Sequence, residues 1–86
     1  MRLDKFLKVS RILKRRTVAN EACQDGKVSV NGRVAKPGAQ IKVGDKVAIT
    51  FAGGQLVFLI NETKETVKKD EAVNMYTIIE DGTDNA

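Results

Sequence analysis

The chain has no histidine and no tryptophan, and only one cysteine, one proline and four aromatic side chains in 86 residues. Without histidine, the commonest general base and the commonest zinc ligand are missing. A lone thiol, Cys23, forms neither an internal disulfide nor a cysteine metal cluster. No metal-ligand spacing and no Gly-rich phosphate loop is visible, because Gly32 and Gly53-Gly54 read as turn glycines. The longest apolar run, Leu56–Ile60, falls far short of a bilayer span. Arg2, Asp4, Lys5 and Lys8 charge the N-terminus, and no apolar run of signal-peptide length follows them. These absences point away from catalysis, metals, cofactors and membranes, and toward a soluble, cytoplasmic protein. The length allows one small domain with a modest core.

What the chain has is positive charge in one place. Residues 1–51 hold twelve Lys/Arg against four Asp/Glu, a net of +8, and residues 52–86 hold three against seven, a net of −4. A basic body with an acidic end suits nucleic acid or an anionic surface. The densest stretch is Arg2–Thr17, with Arg2, Lys5, Lys8, Arg11, Lys14, Arg15 and Arg16 against the single acid Asp4. Apolar residues are threaded through it, so the charges stand on a folded surface and not on a tail.

The patterning predicts an α+β fold, with two short N-terminal helices on a small, mostly antiparallel sheet and a short C-terminal helix/strand extension. Over Leu3–Val9, Leu3, Phe6 and Leu7 share one helical arc, and Arg2, Lys5 and Lys8 fall opposite. Thr17 is the expected N-cap of a second helix over Val18–Gln24, with Val18, Ala19, Ala22 and Cys23 on one arc. Gly26 fits the left-handed position past its end. Val28 and Val30 lead into Asn31-Gly32, a two-residue hairpin signal, and Val34 resumes the pairing. Lys46–Phe51 alternates Val47, Ile49 and Phe51 inward, and Leu56–Ile60 is a further strand. Thr66 is expected to cap a short helix over Val67–Val73, before a strand over Met75–Ile79 and a frayed end over Glu80–Ala86. In domain terms, residues 1–61 form the binding domain with its sheet, 62–80 its extension and 81–86 a disordered tail. Leu3, Phe6, Leu7, Val18, Ala22, Val28, Val30, Val47 and Ile49 make the expected shared core. Phe6, Phe51 and Phe58 all sit at apolar phases and read as core, leaving no platform for base stacking.

Clustered Lys and Arg bind phosphates with an affinity that falls steeply with salt. Arg forks onto phosphate oxygens, whereas Lys acts as a mobile point charge. The Arg11–Arg16 turn gathers four such residues, and Thr17 with the start of the second helix adds backbone N–H donors. Lys27 and Arg33 flank the hairpin and extend the patch. Asp4 has no partner for acid–base work. Its role is to fix basic side chains, either Lys8 one turn on or a neighbouring arginine.

Arg2-Leu3-Asp4-Lys5-Phe6-Leu7, the turn ending Lys14-Arg15-Arg16-Thr17, Ala22, Gly26–Gly32 and Gly44-Asp45 resemble the alpha-L RNA-binding domain. That domain occurs in a small-subunit ribosomal protein, in pseudouridine synthases and in tyrosyl-tRNA synthetases. Asn61-Glu62, the charged run Thr66–Glu71 and Asn74–Ile78 extend the likeness, over nearly the whole chain, to the RqcP family of Gram-positive bacteria. That family is a short relative of the ribosome-binding fifteen-kilodalton heat-shock protein. The chain is expected to be a monomer, and the resemblance implies a non-catalytic factor on large ribosomal subunits that stall with peptidyl-tRNA. There it would contact 23S ribosomal RNA and the tRNA, and support alanine tailing of the nascent chain by RqcH. Carried over by motif, the RNA contacts are Arg2, Lys5, Arg11, Lys14, Arg15 and Arg16, with Asp4 orienting; Lys8, Thr17, Lys27, Asn31 and Arg33 complete the candidate surface. A ribosome-assembly or tRNA-binding adaptor is the alternative, and a stand-alone RNA-modifying enzyme a more distant one.

Overall fold

The computed structural model describes residues 1–82. Helices α1 (Leu3–Val9) and α2 (Arg16–Gln24) precede strands β1 (Val28–Val30), β2 (Arg33–Val34), β3 (Lys46–Phe51), β4 (Gly54–Ile60) and β5 (Tyr76–Asp81), with a 3-10 turn over Ala72–Met75 before β5. The strands form one sheet in the order β2-β1-β3-β4-β5, every neighbouring pair antiparallel. The expected α+β class, with two N-terminal helices on an antiparallel sheet, is what the chain adopts.

Seven residues make a helix too short to persist alone, so α1 depends on what surrounds it. Leu3, Phe6 and Leu7 are fully buried against Val28, Val47, Ile49 and Phe58. Each such side chain contributes about 1.5–3 kcal/mol on leaving water. The N-cap residue Arg2 makes no side-chain capping bond; segment 37–41 and the Asp4 carboxylate supply the acceptors. The Leu3 and Asp4 N–H groups donate to the carbonyls of Ala39 (2.8 Å) and Pro37 (3.1 Å), and the Lys5 N–H donates to the Asp4 carboxylate (2.8 Å). Past the far end Arg11, whose N–H donates to the Lys8 carbonyl at 3.0 Å, takes a left-handed backbone, φ 62°. An arginine in that conformation costs about 1–2 kcal/mol relative to the right-handed region. The bend turns residues 12–15 back toward α2, and Leu13 N–H closes it on the Leu7 carbonyl.

α2 starts two residues before the expected position. Its N-cap is Arg15, and Thr17 lies inside the first turn with no capping bond. Ala19 and Cys23, four apart, form the buried line, with Ala22 partly buried beside it. Val18 stands one residue off that line and is 43% exposed, not core. The helix end matches expectation: Gly26 has φ 76°, its N–H donates to Cys23, and the Lys27 N–H donates to Ala22, the paired bonds of a Schellman motif.

Asn31 (φ 52°) and Gly32 (φ 84°) make the tight β1–β2 turn, with Val30 opposite Arg33. Val28, Val47, Ile49 and Phe58 fill the core, and Val30 packs at its edge. The Phe58 ring stacks on Phe6 at 6.2 Å and meets the edge of Tyr76 at 5.7 Å. Phe51 departs from its expected burial. It pairs with Gly54 at the end of the β3–β4 hairpin, beyond the last buried row at Ile49, and is 37% exposed.

No α-helix forms over Val67–Val73. Residues 61–71 run as an irregular strap, and only Ala72–Met75 coils, as a 3-10 turn. The apolar residues explain this: Ala72 and Met75, three apart, are buried, and a 3-10 turn eclipses positions i and i+3. Glu80 and Asp81, expected to fray, pair with Val57 and Leu56. The rest of the expected tail, residues 83–86, lies outside the described residues.

Candidate nucleic-acid interface

The start of α1 and the start of α2 meet at one carboxylate. Asp4 is 1% exposed. Its Oδ1 accepts from Arg2 Nε (3.2 Å) and the Lys5 N–H (2.8 Å). Its Oδ2 faces Arg2 Nη2 (3.3 Å), Asn20 Nδ2 (3.4 Å) and Arg16 Nε (3.5 Å). Gln24 Nε2 donates to Asn20 Oδ1 at 2.6 Å, which fixes the Asn20 amide. Arg2 and Arg16 remain about half exposed, at 48% each. Of the two partners open to Asp4 on paper, the arginines hold it and Lys8 does not.

Two guanidiniums on one carboxylate leave a net positive charge, and each keeps N–H groups free of Asp4. Arg2, Asp4, Arg16, Thr17, Asn20 and Glu21 border an open groove of about 600 Å³. A phosphate oxygen there would meet donors whose side-chain freedom is already spent. Burial pushes the Asp4 carboxyl up, but the bonds from Asn20, Arg16 and Arg2, with the charge of Arg16, outweigh it and hold the group below its ordinary 3.8. The cluster is therefore ionised at neutral pH. Asn20 is the member that sequence reading missed, although Arg16, Asn20 and Gln24 at four-residue spacing already share one helical stripe.

The other candidates divide. Lys14 and Arg15 are exposed in the turn between the helices, and Lys8 is exposed on α1. Lys5 is ion-paired with Glu65 of the strap, and Arg11 Nη2 reaches the Val67 carbonyl at 3.5 Å. The strap thus lies against part of the face expected to be open. Lys27 borders a second groove between α2 and β3, and Arg33 lies in the β2 edge strand. The side chain of Asn31 is used inside the fold: Nδ2 donates to Asp45 at 3.1 Å, and Oδ1 accepts from the Lys46 N–H at 3.0 Å. That ties the β1–β2 turn to the start of β3.

Cys23 is buried, and burial first, with the Asp4 charge second, pushes its thiol up to about 11. Among the described residues no group of His, Cys, Asp and Glu is placed to hold a metal, and no helix is long and apolar enough to cross a membrane.

Residues 1–47 match the S4 domain model, and they include all of α1, α2 and the Asp4 cluster. The chain is 49% identical over 81 residues to the RQC P-site tRNA stabilizing factor of Bacillus subtilis, covering 94% of each. It is 51% identical over 79 residues to the factor of the same name from Streptococcus pneumoniae, covering 92% of this chain and 90% of that one. Among solved structures, the trimeric heat shock protein 15 of Vibrio cholerae superposes with a TM-score of 0.84 at 28% identity, over 91% of this chain and 80% of that one. The chain belongs to the S4-domain family, in the branch of the RQC P-site tRNA stabilizing factors.

Proposed function

We propose that this protein is a non-catalytic RNA-binding factor of ribosome-associated quality control, which holds tRNA in the P site of a stalled large subunit. Its α1–α2 face lies on 23S ribosomal RNA and on the peptidyl-tRNA, while RqcH extends the nascent chain with alanine on the same subunit. The work is cytoplasmic. The protein acts there as a monomer.

The observation that carries this is the Arg2/Arg16 pair held on buried Asp4, in a chain whose near full-length relatives bear the name of P-site tRNA stabilizing factors. Holding a tRNA needs no bond chemistry. It needs fixed cations that displace counterions from the phosphate backbone. Lys14 and Arg15 add charge beside the pair, Lys8 on α1 and Arg11 just past its end extend it, and the Thr17 N–H lies in the first turn of α2. Lys27, on the second groove, and Arg33, in the edge strand, are outer contacts. Asp4 orients Arg2 and Arg16.

The test is co-sedimentation with stalled large subunits carrying peptidyl-tRNA. The wild type pellets, and the Arg2→Ala, Arg16→Ala variant stays in the supernatant. A double variant that pellets like the wild type shows that the face is wrong. A wild type that tracks immature particles lacking tRNA replaces the quality-control reading with an assembly role.

A further inference from the structure

Two apolar side chains that the sequence phasing places in the core stand outside it, and they line the same groove. Val18 of α2 is 43% exposed and Phe51 at the end of β3 is 37% exposed. Together with Leu13, Ala22 and Ile49 they form the apolar walls of a pocket of about 240 Å³ between α2 and the β3–β4 hairpin. Leu13, one of its lining residues, immediately precedes Lys14-Arg15-Arg16 in the chain. Charged groups line the pocket too: Lys27 supplies a cation, and Glu21 and Asp25 supply carboxylates.

We propose that this groove is a slot for one unpaired RNA base stacked on Phe51, an assignment that rests on the RNA-binding reading above. A base offers a π-face to Phe51 and apolar surface to Val18 and Leu13. Its edge carries N–H donors, for which the Glu21 and Asp25 carboxylates are acceptors. The phosphates on either side need cations; Lys27 lines the groove, and the Lys14–Arg16 turn follows Leu13 directly in the chain. An aliphatic side chain from a protein would use the walls and leave all three charges idle. A paired base cannot reach the floor, so the slot selects a base already out of its helix. The basic face by itself reads only backbone; the slot adds one base-dependent contact.

The test compares two RNA hairpins that differ at one bulged position, guanosine in one and an abasic residue in the other, with the phosphate count unchanged. Fluorescence anisotropy with the full chain is expected to give about tenfold tighter binding to the bulged base, the scale of base–aromatic stacking, with equal salt slopes. Phe51→Ala binds both hairpins as the wild type binds the abasic one, and Phe51→Tyr keeps the preference. Val18→Ser, on the opposite wall, reduces the preference and serves if Phe51→Ala fails to fold. The Arg2→Ala, Arg16→Ala variant weakens both hairpins and keeps their ratio. Equal wild-type affinity for the two hairpins, or a preference that survives in folded Phe51→Ala, overturns the slot alone. Wild-type binding to neither hairpin overturns the slot and the RNA-binding reading together.

Discussion

Replacing Asp4 by asparagine alters one atom and should unsettle the whole α1–α2 junction. Five donors converge on the carboxylate: the Lys5 N–H and Arg2 Nε on Oδ1, and Arg2 Nη2, Asn20 Nδ2 and Arg16 Nε on Oδ2. An asparagine offers one acceptor oxygen. If it takes the Oδ1 position, its NH₂ group confronts three donors; if it flips, the NH₂ confronts the other two. Breaking a buried charge pair costs about 3–5 kcal/mol. Arg2 and Arg16 are about half exposed, so water takes back part of that, and about 2 kcal/mol is the expected loss. In a domain of this size that lowers Tm by about 8–16 °C. The gap should depend on pH. The folded Asp4 carboxyl lies below its ordinary 3.8, so its contribution is fully present above that value and is lost as pH falls through the folded one. Thermal melts by circular dichroism should show the full gap at pH 7 and a closing gap below about pH 4. A variant that melts within a degree or two of the wild type at pH 7 refutes the reasoning, as does a gap of the same size at pH 3.

The strap makes a separate prediction. Glu65→Gln releases Lys5 from an exposed pair that adds little stability, so Tm stays put. RNA affinity rises, and the slope of log K against log salt steepens by up to about one; an unchanged slope would mean that Lys5 does not reach RNA. Cys23, buried and with its thiol pushed up to about 11, should resist iodoacetamide at pH 7.5 until the domain is unfolded. Rapid labelling of the folded protein would show that the face of α2 bearing Cys23 opens. Leu7→Ser, which buries a hydroxyl in a fully enclosed site, should cost about 2 kcal/mol or more; an unshifted melt would move Leu7 to the surface.

Where one element fixes its own pattern, the sequence was readable. Leu3, Phe6 and Leu7 mark the α1 face, Asn31-Gly32 sets a turn that needs positive φ twice, and Gly26 ends α2. What the sequence hid depends on contacts between distant segments. α1 is capped by the carbonyls of residues 37 and 39, so no cap residue announces it. Arg11 takes a left-handed backbone where glycine would be the cheaper residue. Val18 and Phe51 have the right phase but lie past the edge of what the core covers. The Val67–Val73 helix failed because burial went to Ala72 and Met75 instead. At the candidate interface, the role of Asp4 in fixing basic side chains was legible from the order of residues, with a neighbouring arginine as one of its two open partners. The choice of Arg2 and Arg16 over Lys8, the part played by Asn20 and the strap over Lys5 depend on long-range packing.

The most direct measurement is a cryo-EM map of the protein on a large subunit stalled with peptidyl-tRNA. The account predicts that α1, the Lys14–Arg16 turn and the start of α2 lie against RNA, with Arg2 and Arg16 both on phosphates and Asp4 still between them. Density that docks the outer face of the sheet on RNA, with the Arg2–Asp4–Arg16 cluster open to solvent, would contradict it.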